Sequence, residues 1–545
     1  MEDKRRVKQS LIAGALTGSA GIFITKALSL LYVIPFNEIA QDATVFYSYA
    51  YTVYDALLQV CLSGFPYAIA TLVAKYATKN DYSTVELVKK VSKAILLVLG
   101  IVCCFIMIAF SKILAIQIIP SELQSSSYLH YTQIVLIILA FALVFVPYLS
   151  YYRGVYQGLK EMKVYAFTQV LEQTIRITFL LAASSLCVYV FDMDRIWAAY
   201  MGVLSTSVSA IGTIIYFIYH NKSISSNALA KDSTIGKTEI FKELVKTAVP
   251  YLLSSLMFSS SGMFVLLVFA DGLELYGTDG TLITIYQGII NYQASKLSSI
   301  PTIIMTGFCL VIIPHITEAV TNRDNLKVQQ LIDKILQTVN YLSVPLICFM
   351  IFYSREIYYI MYGTYHLDIG ASLLAKTLAC QLLMNVAGVL NSLMIAIQMR
   401  KRYLFLESLR LIFMLVIFKP CLARFGVNGY FIALASEYIL LIVGALLIVN
   451  STYNISFKNL FDKFTKSWIG CVPMFILAAL SSNISFVVEH NSRLVILIIT
   501  GIMFIIDIGL FGYITNKLGV VEEVFGEKFT KSSINKLVNR FVKKS

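Results

Sequence analysis

Nine ionisable side chains stand well inside long apolar runs, and they are where this chain could do chemistry: Lys26, Asp55, Glu172, Arg176, Lys296, Glu407, Arg410, Glu437 and Asp507. A charge at the centre of a membrane helix is unfavourable by roughly 2.5–3.5 kcal/mol on insertion scales, so each needs a partner or a watery cavity. Glu172 and Arg176 are four residues apart and Glu407 and Arg410 three, so each pair lies on one helix face and can neutralise itself. A structural role is the first reading for these four. Glu437, at about the depth of Arg410 on the next run, would extend the second pair into a three-residue network. Lys26, Asp55 and Lys296 have no opposite charge three or four positions away in sequence, which makes them the candidates for lining a substrate cavity. Lys26 and Asp55 lie on consecutive runs at similar depth, so an ion pair between them is the competing expectation. An ammonium group at Lys26 or Lys296 would attract phosphate as a point charge. Asp507 is isolated in the last run and receives no role.

Other chemistry is missing from the sequence. It contains no G-x-x-x-x-G-K-[ST] loop and no H-E-x-x-H, and its five histidines are scattered near run ends. The nine cysteines lie in or beside apolar runs without metal-ligand spacing and read as buried thiols. No enzyme, cofactor or metal is expected. If the chain transports, the energy comes from a gradient of a monovalent ion, the membrane potential, or consumption of product on the far side.

The elements that position these residues are membrane helices. Of the 545 residues, 58% are hydrophobic and 14% charged, against roughly a quarter charged in a soluble domain, and mean hydropathy is +0.75. Fourteen runs can span about 30 Å of hydrocarbon. They fall near 11–36, 44–74, 91–118, 131–152, 164–190, 196–219, 243–270, 283–315, 335–353, 371–397, 403–418, 428–449, 467–486 and 494–516. The first is too long for a signal-peptide core of roughly 7–15 residues and reads as a retained helix. Alternate loops hold about 33 basic residues against fewer than ten on the other side, which predicts both termini in the cytoplasm. The net charge of +13 therefore faces anionic inner-leaflet lipid, and no nucleic acid partner is needed. The basic tail from Lys528 to Lys544 reads equally as an amphipathic surface helix or a solvated segment.

An internal echo supplies the organisation. Leu62-Ser63-Gly64-Phe65-Pro66 in the second run resembles Leu297-Ser298-Ser299-Ile300-Pro301 in the eighth, and Val7-Lys8 echoes Val245-Lys246. Six runs separate the copies, so the halves would share one orientation, with substrate bound between them near the midplane. The expected division is a six-helix lobe over 1–220, a second over 221–450, and two further helices with a basic tail over 451–545.

Ser63 to Tyr76 (SGFPYAIATLVAKY), Arg153 to Met162 (RGVYQGLKEM) followed by Thr168 to Ile177 (TQVLEQTIRI), and Ile313 to Ala319 (IPHITEA) resemble the SpoVB and YtgP-like branch of the MOP flippase superfamily. So does the basic amino terminus leading to a lysine late in the first helix. The resemblance covers nearly the whole chain. It implies two six-helix lobes in a V around a central cavity that alternates its access. It also implies a polyprenyl-linked glycan as substrate, lipid II first, with Lys26 at the basic position taken to hold pyrophosphate and the last two helices beside the lipid tail. A lipid-linked oligosaccharide, membrane lipids and cell-wall synthesis proteins are the partners it brings. Two departures reduce cavity charge: Val33 stands where relatives carry a second arginine, and Gly262 and Met263 where they place Asn and Asp. Within the loop motif, Gly154 and Gly158 permit a tight turn between helices, and Arg153 and Gln157 would satisfy exposed carbonyls. A multidrug or cation antiporter would want carboxylates in the cavity, where Lys26 and Lys296 oppose a cation. A non-transporting assembly factor would have all its buried charges mutually paired, and a membrane glycosyltransferase would need a large carboxylate-bearing loop that the sequence lacks.

Overall fold

Inside a bilayer every backbone N–H and C=O must be satisfied within the protein, which leaves helices as the means by which apolar runs of this length cross. The computed structural model describes residues 24–525 apart from 26–27, 30–31, 63, 78, 125–126, 160, 222–235, 303–315, 317–318, 321, 398, 454–456 and 481–491. Among the described residues there is no strand, and nine helices are long and apolar enough to span a membrane. The all-α membrane architecture expected from composition is the one found. Lys26, the basic amino terminus, most of the Ile313 to Ala319 motif and the tail from Lys528 lie outside the described residues.

The helices are α1 (Val33–Ala40), α2 (Thr44–Leu62), α3 (Phe65–Ala77), α4 (Tyr82–Ala109), α5 (Ser111–Ile118), α6 (Ser127–Ala140), α7 (Ala142–Gly158), α8 (Met162–Ser185), α9 (Ile196–Asn221) and α10 (Lys237–Tyr276). They continue as α11 (Gly280–Gly288), α12 (Asn325–Phe352), α13 (Ser354–Tyr362), α14 (Leu367–Ala396), α15 (Arg400–Phe425), α16 (Val427–Tyr453), α17 (Phe457–Gly470), α18 (Val472–Leu480), α19 (Arg493–Lys517) and α20 (Val520–Phe525). Aspartate side chains cap the starts of α4, α11 and α12. Asp81 accepts from the Thr84 N–H before α4, Asp279 from the Thr281 and Leu282 N–H groups before α11, and Asp324 from the Lys327 N–H before α12. Several boundaries differ from expectation. The second run is not one helix but α2 and α3, because Gly64 takes φ +93° and Pro66 lacks an N–H to continue the ladder. The thirteenth begins earlier, since amphipathic α17 leads into apolar α18.

The chain forms two compact units. The first comprises residues to Tyr292 together with Met414–Tyr430, and the second Gln293–Phe413 with Phe431 onward. In the first, α7 packs on α3 and α4 through Ile69, Val73, Leu149 and Val155, and Tyr152 stacks on Phe217 of α9 at 4.9 Å. Gly154 and Gly158 work within this contact rather than in the turn expected for them. A Cβ at Gly154 would lie 2.9 Å from the Pro66 carbonyl oxygen, and one at Gly158 would lie 2.7 Å from that of Ala70. Their four-residue spacing lets two helix backbones approach closely. In the second unit one core joins Ile332, Val339, Leu390, Leu393 and Leu441, and another joins Cys348, Cys471, Met474 and Phe511.

Candidate functional site

The first unit carries a triad. Glu172 of α8 receives Arg176 Nη2 at 2.7 Å from its own helix and Arg153 Nη2 at 2.7 Å from the end of α7. Arg153 also donates to the Thr168 carbonyl at 3.1 Å, which ties the loop motif to the helix after it. Two guanidinium groups share one carboxylate, so the cluster keeps one positive charge. It is not sealed: the side chains of Arg153 and Arg176 are 17% and 22% exposed. Around Arg176 stand Tyr47, Tyr51 and Tyr54 of α2, with Ser209 Oγ 3.5 Å from its Nε. Tyr51 and Thr206 of α9 share a hydrogen bond, and Tyr47 and Tyr51 have ring centroids 4.4 Å apart. A guanidinium ringed by hydroxyls can bind the oxygens of a phosphate or a sugar.

The second unit carries the mirror arithmetic. Arg410 of α15 donates from Nε to Glu407 at 2.6 Å and from Nη1 to Glu437 of α16, while the Asn391 amide of α14 donates to Glu407 at 3.3 Å. Here two carboxylates share one guanidinium, and no side chain of the three is more than 3% exposed. This triad fastens three helices and presents nothing to a ligand.

Asp55 lies on α2 one turn beyond Tyr51 and is exposed, and Lys296 is half-buried in the helical stretch after the π-turn Ile289–Ala294. Both take part in polar or electrostatic contacts. They belong to different units. Gln157 is half-buried on α7. Outside the membrane spans, the Glu243 carboxylate accepts from Lys75 Nζ at 2.6 Å and from the Tyr76 hydroxyl at 2.9 Å. Burial pushes the Glu243 carboxyl up, but those two donors outweigh it and hold it below the usual range. Hydrogen bonds from Thr84 and Ser83 likewise lower the Asp81 carboxyl.

Residues 11–320, more than half of the chain, match the family model described as polysaccharide biosynthesis protein. The chain belongs to that family. This family member is 24% identical to the lipid II flippase MurJ of Bacillus subtilis (strain 168), across 96% of this chain and 98% of that one. To stage V sporulation protein B of the same organism it is 22% identical, across 68% and 70% of the respective chains. In three dimensions it is similar to an inward-facing multidrug resistance MATE family transporter of the MOP superfamily, with TM-score 0.62 and 14% identity, covering 78% of this chain and 93% of that one. A MOP superfamily transporter from Pyrococcus furiosus, described as having a binding pocket of reverse polarity, matches with TM-score 0.57 and 14% identity over 82% and 97%. The family member thus has the MOP transporter fold and is a multi-pass membrane protein.

Two site features of this family member escape a reading of charges by spacing. Arg153 joins the Glu172 cluster from 19 residues upstream, a distance no helical periodicity encodes. The tyrosines did leave a signal: positions 47, 51 and 54 repeat at i, i+4 and i+7, one face of a helix.

Proposed function

We propose that the protein is a flippase that moves an undecaprenyl-pyrophosphate-linked glycan, lipid II first, from the inner to the outer leaflet of a bacterial cytoplasmic membrane by alternating access. The observation that carries this reading is the end-to-end similarity to a lipid II flippase. The geometry supports it through the unbalanced positive charge at Arg153 and Arg176, which suits a pyrophosphate, and through the neighbouring tyrosine hydroxyls, which suit sugar oxygens. Lys26, Asp55 and Lys296 are proposed as further substrate contacts, with transport driven by the membrane potential or a monovalent ion. A cationic substrate would meet the same positive charge, which disfavours an antiporter for cationic drugs.

The test is depletion of the protein followed by measurement of lipid II on each leaflet, with complementation by variants whose membrane abundance is measured in parallel. Accumulation on the inner leaflet is expected, with Lys26→Ala failing to complement, Lys26→Arg restoring part, and Lys296→Ala impairing less. Normal lipid II distribution on depletion overturns the substrate. Full activity of the Lys26→Ala, Lys296→Ala double variant removes those lysines from the site.

A further inference from the structure

Asp507 is a fully buried carboxyl that neither triad absorbs. It stands near the middle of α19, whose outward face is Leu497, Ile498, Ile502 and Ile505, all exposed on the molecular surface. The opposite face holds Ile496, Thr500, Asp507, Phe511 and Thr515 against the rest of the second unit. Along that seam Tyr341 of α12 meets Thr515 at 3.1 Å and Phe349 meets Phe504 with centroids 5.0 Å apart. Asp507 is fully buried, and neither carboxyl oxygen makes a hydrogen bond of ordinary geometry. What acts on it is its burial and the Tyr353 hydroxyl, with the Cys471 thiol also close enough to feel its charge.

The elements packed on α19 are α12, α13, α17, α18 and α20. None of their charged groups is among those that act on Asp507. On α12, Asp333 faces Lys463 of α17, and Cys348 pairs with Cys471. On α13, Arg355 holds Asp368 at 2.5 Å and Glu356 is buried beside it in sequence. On α17, Lys466 holds Asp462 at 2.8 Å. α18 has no ionisable residue, and Glu522 of α20 is exposed. Among the described residues no cation neutralises Asp507. A hard metal ion would require a cage of oxygens, whereas the described neighbours offer one phenol and two thiols.

We propose that Asp507 is a proton-binding site in the membrane interior and that its proton keeps α19 seated on α12. With the proton bound, the carboxyl is a neutral group that an apolar seam tolerates. When the proton passes to water, a carboxylate remains where no counter-charge stands, and the seam must open until water or lipid headgroups reach it. This inference is independent of what the protein carries.

The experiment uses the full chain in phospholipid nanodiscs. Dicyclohexylcarbodiimide adds to protonated carboxyls in apolar surroundings and leaves a stable N-acylurea that peptide mapping locates. Labelling of Asp507 near pH 6 is expected, falling several-fold near pH 9. In parallel, the folded chain would keep a proton that the unfolded chain releases above about pH 4, so the seam's contribution is fully present near pH 4 and declines as pH rises. The wild-type melting temperature should therefore fall by several degrees relative to Asp507→Asn between pH 5 and pH 9. Absent labelling, equal labelling at both pH values, or parallel melting curves overturns the site. If Asp507→Asn does not accumulate, labelling of the wild-type chain decides alone.

Discussion

The two triads are built by the same local device and put to opposite uses. Each starts from a pair three or four residues apart on one helix, Glu172 with Arg176 and Glu407 with Arg410, and each gains a third member from another helix. In the first unit the third member is Arg153 and the surplus charge is positive and partly exposed. In the second it is Glu437, the surplus is negative, and the cluster is sealed. Accessibility and sign together separate a group that can meet an anionic ligand from one that can only hold helices together.

The sealed triad should be the more fragile. Arg410→Met leaves two carboxylates buried without a cation, and a loss of about 3–5 kcal/mol is expected, read as loss of the protein from the membrane. Replacing Glu407, Arg410 and Glu437 together by Leu, Met and Leu should restore abundance, because it is the uncompensated charge and not the missing bridge that destabilises. Transport that remains abolished in an abundant triple variant would give this triad a role beyond fastening.

The open triad should respond the other way round. In Arg176→Met, Glu172 keeps Arg153, so abundance should change little, while a lost charge-assisted contact of about 1.5–3 kcal/mol lowers flipping by about tenfold or more. Equal loss of abundance and flipping would make the two clusters alike and end the comparison.

Positioning can be tested apart from charge. Gly158→Val forces a side chain against the Ala70 carbonyl and Val73 and should destabilise by about 1–3 kcal/mol. It should also reduce flipping by displacing Arg153, five residues earlier on the same helix. Retained stability and flipping would show that α7 and α3 can separate without harm to the site.

The smallest effect belongs to the exposed pair Lys75 and Glu243. The Glu243 carboxyl is held low in the folded chain, so its contribution is present above about pH 4.3 and fades as pH falls through the folded value. With Lys75 44% exposed, solvent limits this to a few tenths to about 1 kcal/mol. Melting of Glu243→Gln should converge on wild type near pH 3 and fall slightly below it at pH 6.

What spacing and composition determined was the solvent, the helical class, the two intrahelical pairs and Glu437 as the extension of the second. These follow from helix geometry and the energetics of charge in lipid, which act within a few residues of the chain. Tertiary structure decided that Arg153 turns inward to Glu172, that Tyr47, Tyr51 and Tyr54 surround Arg176, that Gly154 and Gly158 serve a helix contact, and that Asp507 is enclosed. Each depends on which face of one helix meets which face of another. A helix pattern names the residues that share a face, but only packing selects the face that meets it and how much water reaches the contact.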